Sequence, residues 1–201
     1  MSIDYDQELA QLMKSRYPGN YCDAVSLPKP YVGDGPIKTI VIGADPTYLK
    51  DNGKFEFVFG LENTDSKFFR GILINLDQVG LSLDNVYVQN LIKPYFKKET
   101  SKNPDWEECA LLWLENLKRE IDDRFDRTIP VLVTAHKILK LIVYREHLRG
   151  ISPKMIYSKP MVFEPRTNFF GRNVLAMFRH YTYQLGKWEN YRDYIKGILT
   201  V

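Results

Sequence analysis

The run Ile37-Lys38-Thr39-Ile40-Val41-Ile42, closed by Gly43-Ala44-Asp45-Pro46, constrains this chain more than any other segment. It is dense in β-branched side chains and too short for a buried helix, so it predicts a central strand covered on both faces, the form typical of parallel sheets. The glycine and the Asp-Pro pair end it. A carboxylate at the carboxyl end of such a strand lies where open α/β sheets bind ligands, which makes Asp45 the first candidate for chemistry.

The rest of the chain alternates in the same sense. Tyr5 to Met13 has helical spacing and stops at Tyr17-Pro18-Gly19-Asn20, after which an irregular stretch runs to Pro36. Phe55 to Phe59 alternates weakly and suggests a short strand. Phe68, Phe69, Ile72, Leu73, Leu76 and Val79 mark one face of a helix that Gly80 terminates. Val86 to Gln89 is the next strand, ending on Asn90. Asn103-Pro104 predicts a helix start, with Trp106, Ala110, Trp113, Leu117 and Ile121 as its buried stripe. Ile129 to Val133 is a third strand, followed by a basic helix to about Arg149. Met155 to Phe163 reads as a fourth strand, at an edge because of Pro160, and a last helix is expected from Arg172 to Leu185. Strands separated by helices predict an α/β fold of three α/β/α layers around a central, mainly parallel four-stranded sheet. Its carboxyl rim would collect residues 45, 90, 134–136 and those after 163.

With 201 residues the chain suits one domain, with 1–36 as a helix and irregular lead-in. No apolar stretch reaches the roughly 18–20 residues of a membrane span, and the first residues are acidic, so a cytoplasmic protein without membrane association is expected. Cys22 and Cys109 have no neighbours that would form a zinc site or disulfide framework, and both are expected to be buried free thiols. Residues 131–201 carry twelve Lys or Arg against four Asp or Glu. Such a basic half suits a polyanion, although a solvated face has the same composition.

Gly43-Ala44-Asp45-Pro46-Thr47-Tyr48 resembles the first catalytic motif, Gly-Gln-Asp-Pro-Tyr-His, of the uracil-DNA glycosylase superfamily. Phe57-Val58-Phe59 is similar to the segment that supplies that family's aromatic platform. Val86-Tyr87-Val88-Gln89-Asn90-Leu91 resembles its strand ending in the base-reading asparagine, followed by Asn103-Pro104-Asp105-Trp106-Glu107, and Phe169-Phe170-Gly171 resembles the Phe-Phe-Gly after its last motif. The resemblance spans about residues 37–180. It implies a uracil-DNA glycosylase-like fold, DNA as partner, hydrolysis of an N-glycosidic bond without metal or cofactor, and a monomer. By it, Asp45 would orient water, Asn90 would read an extruded base, Phe59 would stack on it, and Ala44, Thr47 and Tyr48 would line the base site.

Two positions depart from the family. Thr47 stands where a tyrosine shields the pocket from the thymine methyl group. Glu164-Pro165-Arg166 is the nearest match to the His-Pro-Ser motif, and none of His136, His147 and His180 falls at its place. Glu164, Arg166 and His136 are therefore candidates for leaving-group or phosphate contacts, and Lys93, Lys97, Lys98 and Lys102 for further phosphates. An ionised Glu164 about 4 Å from a departing anion would oppose it by roughly 4 kcal/mol. Excision of uracil or another damaged base is one expectation; the missing histidine motivates a second, a fold relative that binds a nucleobase, nucleotide or nucleic acid without cleaving it.

Overall fold

The computed structural model describes residues 2–22, 27–46, 55–61 and 67–199. Helix α1 (Ser2–Arg16) leads through a turn into the two-residue strands β1 (Tyr21–Cys22) and β2 (Tyr31–Val32), and then into β3 (Thr39–Gly43). Helix α2 (Lys67–Gln78) connects to β4 (Val86–Asn90), which is followed by the short β5 (Tyr95–Phe96) and the long α3 (Trp106–Arg124). Strand β6 (Val131–Val133), helices α4 (His136–Ile142), α5 (Arg145–Leu148) and α6 (Pro153–Ser158), strand β7 (Val174–Ala176) and helix α7 (Glu189–Leu199) complete the order.

The central sheet has five strands in the order β2-β4-β3-β6-β7, while β1 and β5 form a separate antiparallel pair. Four of the five run parallel; only the edge strand β2 is antiparallel, pairing Tyr31 with Val88. Every residue of β3 is buried, and because successive side chains point to opposite faces, both faces of the sheet at β3 are covered. From β3 the chain first moves to β4 on one side and then crosses to β6 on the other. This reversal makes a topological switch point at the carboxyl ends of β3 and β6, the place where open α/β sheets bind ligands. No helix among the described residues is long and apolar enough to cross a membrane.

Several expectations change. Phe55 to Phe59 is not a strand: Phe57 makes one bridge to Lys29, and Val58–Gly60 is a 3-10 turn. Helix α3 begins at Trp106 rather than at Pro104, because Asn103 Oδ1 accepts from the Asp105 amide and holds a turn ahead of it. The largest correction concerns the fourth parallel strand. Residues 153–158 are helical, with Ser152 accepting from the Met155 amide and Pro153 in the first turn. The strand is instead β7, inside the segment expected to be the last helix, and that helix forms only at Glu189–Leu199. Val174, Leu175, Ala176, Met177 and Phe178 are all buried, and such a run carries no periodicity to separate strand from helix.

Candidate active site

The ends of β3 and β4 continue side by side beyond their ladder. Leu91 donates from its amide to Gly43 O at 2.8 Å, Ile92 to Ala44 O at 2.9 Å and Phe96 to Pro46 O at 3.3 Å. This pairing fixes the Gly43–Pro46 turn, with Ala44 half-buried against the core. On the other side, the Thr134 amide and hydroxyl both donate to Ile42 O at 3.0 Å, and the Arg179 amide donates to Thr134 O at 3.0 Å.

Asp45 projects into this rim with its two carboxylate oxygens in different surroundings. Oδ1 accepts from Thr100 Oγ1 at 2.6 Å and from the Trp106 indole N–H at 2.7 Å. Oδ2 is buried and has no hydrogen-bond partner among the described residues. Burial raises the carboxyl above its ordinary value, against the two hydrogen bonds and the charges of Lys137 and Arg179, which pull the other way. One oxygen is thus held by two donors, and the other is left buried without one. Lys137 supports the arrangement from behind, donating to Thr100 O at 3.1 Å with its ammonium 4.4 Å from the centre of the Trp106 ring.

Phe59 and Asn90 meet Asp45's strand at Gly43. A Cβ on Gly43 would lie 2.1 Å from Phe59 Cε1 and 2.3 Å from Asn90 Oδ1, so the ring and the amide both pack on the bare α-carbon. Phe59 reaches this place through a backbone with φ of 67°, the one positive value at a non-glycine among the described residues. A bulky residue in that region costs on the order of 1–3 kcal/mol, and such strain concentrates at functional sites. Asn90 is 1% exposed and its Oδ1 has no partner among the described residues. Its backbone N–H donates to Gln89 Oε1 at 2.9 Å.

Gly43→Ala is expected to lower stability by about 1–3 kcal/mol through overpacking, about 2–4 °C in Tm per kcal/mol. The strained Phe59 backbone and the buried Asn90 leave neither side chain an easy retreat. A thermal melt superimposable on the native one would show that the ring and amide do not meet at Gly43.

Other expected site residues fare differently. His136 begins α4 on the same rim, its ring edge-on to Phe178 at 5.8 Å, and burial, then Lys140, lowers its pKa. Glu164 and Arg166 do not join the site. They form an exposed ion pair at 3.4 Å beside Phe163, which bridges Val174 at the amino end of β7, the rim opposite Asp45. The cause is the displaced fourth strand: β7 runs on into Met177-Phe178-Arg179-His180, so His180, not Glu164, trails the last parallel strand. Lys93 is likewise removed from any phosphate, being buried between Asp6 at 2.6 Å and Glu120 at 2.7 Å. Lys97, Lys98 and Lys102 remain exposed, with Lys102 paired to Glu99. Thr47 and Tyr48 lie outside the described residues.

The sequence predicts Trp106 only as core. A fully buried indole requires an acceptor for its N–H, and that requirement is the signal that could have pointed to Asp45. Thr100 and Arg179 had no sequence signal, since each acts across a tertiary contact. Cys109 is a buried free thiol that burial, with the acidic groups Asp105, Glu108 and Asp45, pushes up to about 12. No cluster of three His, Cys, Asp or Glu suited to a metal occurs among the described residues. A hollow of about 390 Å³ lined by Tyr157, Lys187 and Trp188 contains none of the rim residues. The sequence matches no protein-family model and no curated protein.

Proposed function

We propose that this protein is a divergent DNA glycosylase-like hydrolase of the uracil-DNA glycosylase type, cutting the N-glycosidic bond of uracil or another damaged base in DNA. The observation that carries the reading is the meeting of the Phe59 ring and the Asn90 amide on Gly43, two residues before a carboxylate with one buried, unpartnered oxygen. The motif resemblance is supported by a mainly parallel sheet with Asp45 at its switch point, the arrangement expected of three α/β/α layers.

In this reading the residues divide the work. Asn90 offers one acceptor and two donors in a plane, matching the hydrogen-bonding edge of a pyrimidine. Phe59 stacks on the face of the extruded base. Departure of the base builds positive charge on the sugar and negative charge on the base; ionised Asp45 stabilises the first and draws a proton from the attacking water. Thr100 and Trp106 hold the carboxylate so that Oδ2 is the oxygen presented. The basic second half of the chain is the counterpart for DNA phosphates.

Excision measured on uracil-containing single- and double-stranded oligonucleotides tests this. The native chain is expected to release uracil, and Asn90→Ala to lower kcat/KM by about 10²-fold, roughly 2.7 kcal/mol of transition-state stabilisation. Tight binding of uracil DNA without product, lost in Asn90→Ala, would instead establish a non-cleaving base binder. Absence of both binding and cleavage would remove both readings.

A further inference from the structure

The backbone of Asn90 needs an acceptor that the sheet does not provide. The Leu91 amide donates to Gly43 O at 2.8 Å, so the alternation along a strand turns the Asn90 N–H away from β3. On that other side β2 pairs with β4 at Tyr87 and Val88 and ends short of Asn90. Asn90 is buried, and a buried N–H without an acceptor is costly.

Gln89 supplies that acceptor. Its buried side chain turns back so that Oε1 receives the Asn90 N–H at 2.9 Å, while Nε2 donates to Glu120 Oε1 at 3.2 Å. The two ends of a primary amide have nearly the same shape, and their partners decide which end goes where. The Asn90 N–H is a donor only. Lys93 donates to Glu120 Oε2 at 2.7 Å, which favours the ionised carboxylate, an acceptor only, and Tyr87 also donates to it. Lys93 is held in turn by Asp6 at 2.6 Å, and Asp6 by Asn116 at 2.6 Å. A chain of buried groups from α1, α3 and the end of β4 thus sets the orientation of one amide beside the site.

The other contacts of Asn90 leave its direction to the backbone. Its side chain packs on Gly43 with Phe59, and its Oδ1 has no hydrogen-bond partner among the described residues to set where the amide points. The backbone is tied on the β3 side by the Leu91 and Ile92 amides and on the other side by Gln89.

On the base-excision reading, we propose that Gln89 is the positioning residue of the base reader: its side-chain amide, oriented by Glu120, fixes the Asn90 backbone and so aims the Asn90 amide at the extruded base.

Three variants test the assignment. Gln89→Met keeps the length of the side chain but removes both bonds. Gln89→Glu still accepts from Asn90 but sets a second carboxylate against Glu120. Gln89→Glu combined with Glu120→Gln exchanges donor and acceptor and restores both bonds. Hydrogen exchange of the Asn90 backbone amide is followed by NMR, alongside excision of uracil from an oligonucleotide. In Gln89→Met the Asn90 amide is expected to exchange about 10-fold faster, with the Leu91 and Ile92 amides unchanged, and kcat/KM to fall about 10-fold. Gln89→Glu loses at least as much, and the double variant recovers most of both losses. Affinity for the same oligonucleotide with an abasic site, which offers no base to read, stays unchanged.

Unaltered Asn90 exchange in Gln89→Met, a double variant no better than Gln89→Glu, or an equal fall in affinity for abasic DNA overturns the assignment, while excision by the native chain keeps the wider reading. A native chain that neither binds nor cuts uracil DNA removes that reading, and the exchange data still decide whether Gln89 anchors Asn90. Melting curves identify a general loss of stability, which speeds exchange at Leu91 and Ile92 as well. If Gln89→Met does not fold, the double variant set against Gln89→Glu carries the test.

Discussion

On the proposed base-excision reading, Asp45→Asn is expected to lower kcat by about 10²–10⁴-fold and to leave DNA binding nearly intact, the range expected when a positioned acid–base group is lost. The substitution is close to isosteric. An asparagine carbonyl in the place of Oδ1 still accepts from Thr100 and Trp106, so the local geometry survives. What disappears is the charge, and with it the acceptor at Oδ2, now a donor that cannot take a proton from water. Because burial raises the Asp45 carboxyl, the acid limb of the native pH–rate profile lies above the ordinary carboxylate value of about 3.9. The folded state then binds this proton more tightly than the unfolded chain. Asp45's contribution to stability is full below the unfolded value and is lost as pH rises through the folded one. Melts of the native and Asp45→Asn chains between pH 3 and pH 8 check the sign: the native protein loses stability relative to the variant as pH rises. Equal excision rates, or an acid limb unmoved by the substitution, would remove Asp45 from the chemistry.

Lys93→Met destabilises the protein by about 3–5 kcal/mol, on the order of 10 °C in Tm, because it leaves the buried Glu120 carboxylate and the half-buried Asp6 without their cation. The Lys93 and Glu120 side chains are 7% and 8% exposed, and Asp6, the other partner, also accepts from Asn116 at 2.6 Å. Burial pushes the Glu120 carboxyl up, but the charge and hydrogen bond of Lys93, with donors from Tyr87 and Gln89, overcome it and leave it below the usual glutamate value. The damage reaches the rim. Gln89 Nε2 donates to Glu120 at 3.2 Å while Gln89 Oε1 receives the Asn90 amide, so a rearranged Glu120 loosens the support of Asn90. Adding Glu120→Gln restores part of the stability by removing the stranded charge. If Lys93 served phosphates instead, Lys93→Met would weaken DNA binding with its melting temperature unchanged, a result that would falsify the buried-network account.

Much of the frame was legible because each element carries its own local signal. Helix α2 shows an apolar stripe and a terminating glycine, Gly80, whose φ is 78°. Strands β3 and β4 are five-residue runs buried on both faces and bounded by polar or turn-forming residues. The misreading of β7 and α6 has an equally local cause. β7 is three residues long and apolar throughout, with no period to read, whereas the cap of α6 lies in the Ser152-Pro153 pair, a signal masked by the apolar residues after it.

Asp45 and Asn90 were legible from the sequence as residues at the carboxyl ends of strands, because chain direction and strand length are encoded within a few residues; that the two strands are neighbours came from the sheet order. Only the tertiary structure decided what surrounds them. Phe59 reaches Gly43 through a strained turn, Trp106 and Thr100 reach Asp45 from the start of α3 and the turn before it, and Glu164 lies on the rim opposite Asp45. Lys93, expected among phosphates, is instead held by Asp6 and Glu120. These are contacts between residues dozens of positions apart, set by strand order and by which buried polar atom finds a partner. Neither condition leaves a mark on the local pattern of the chain.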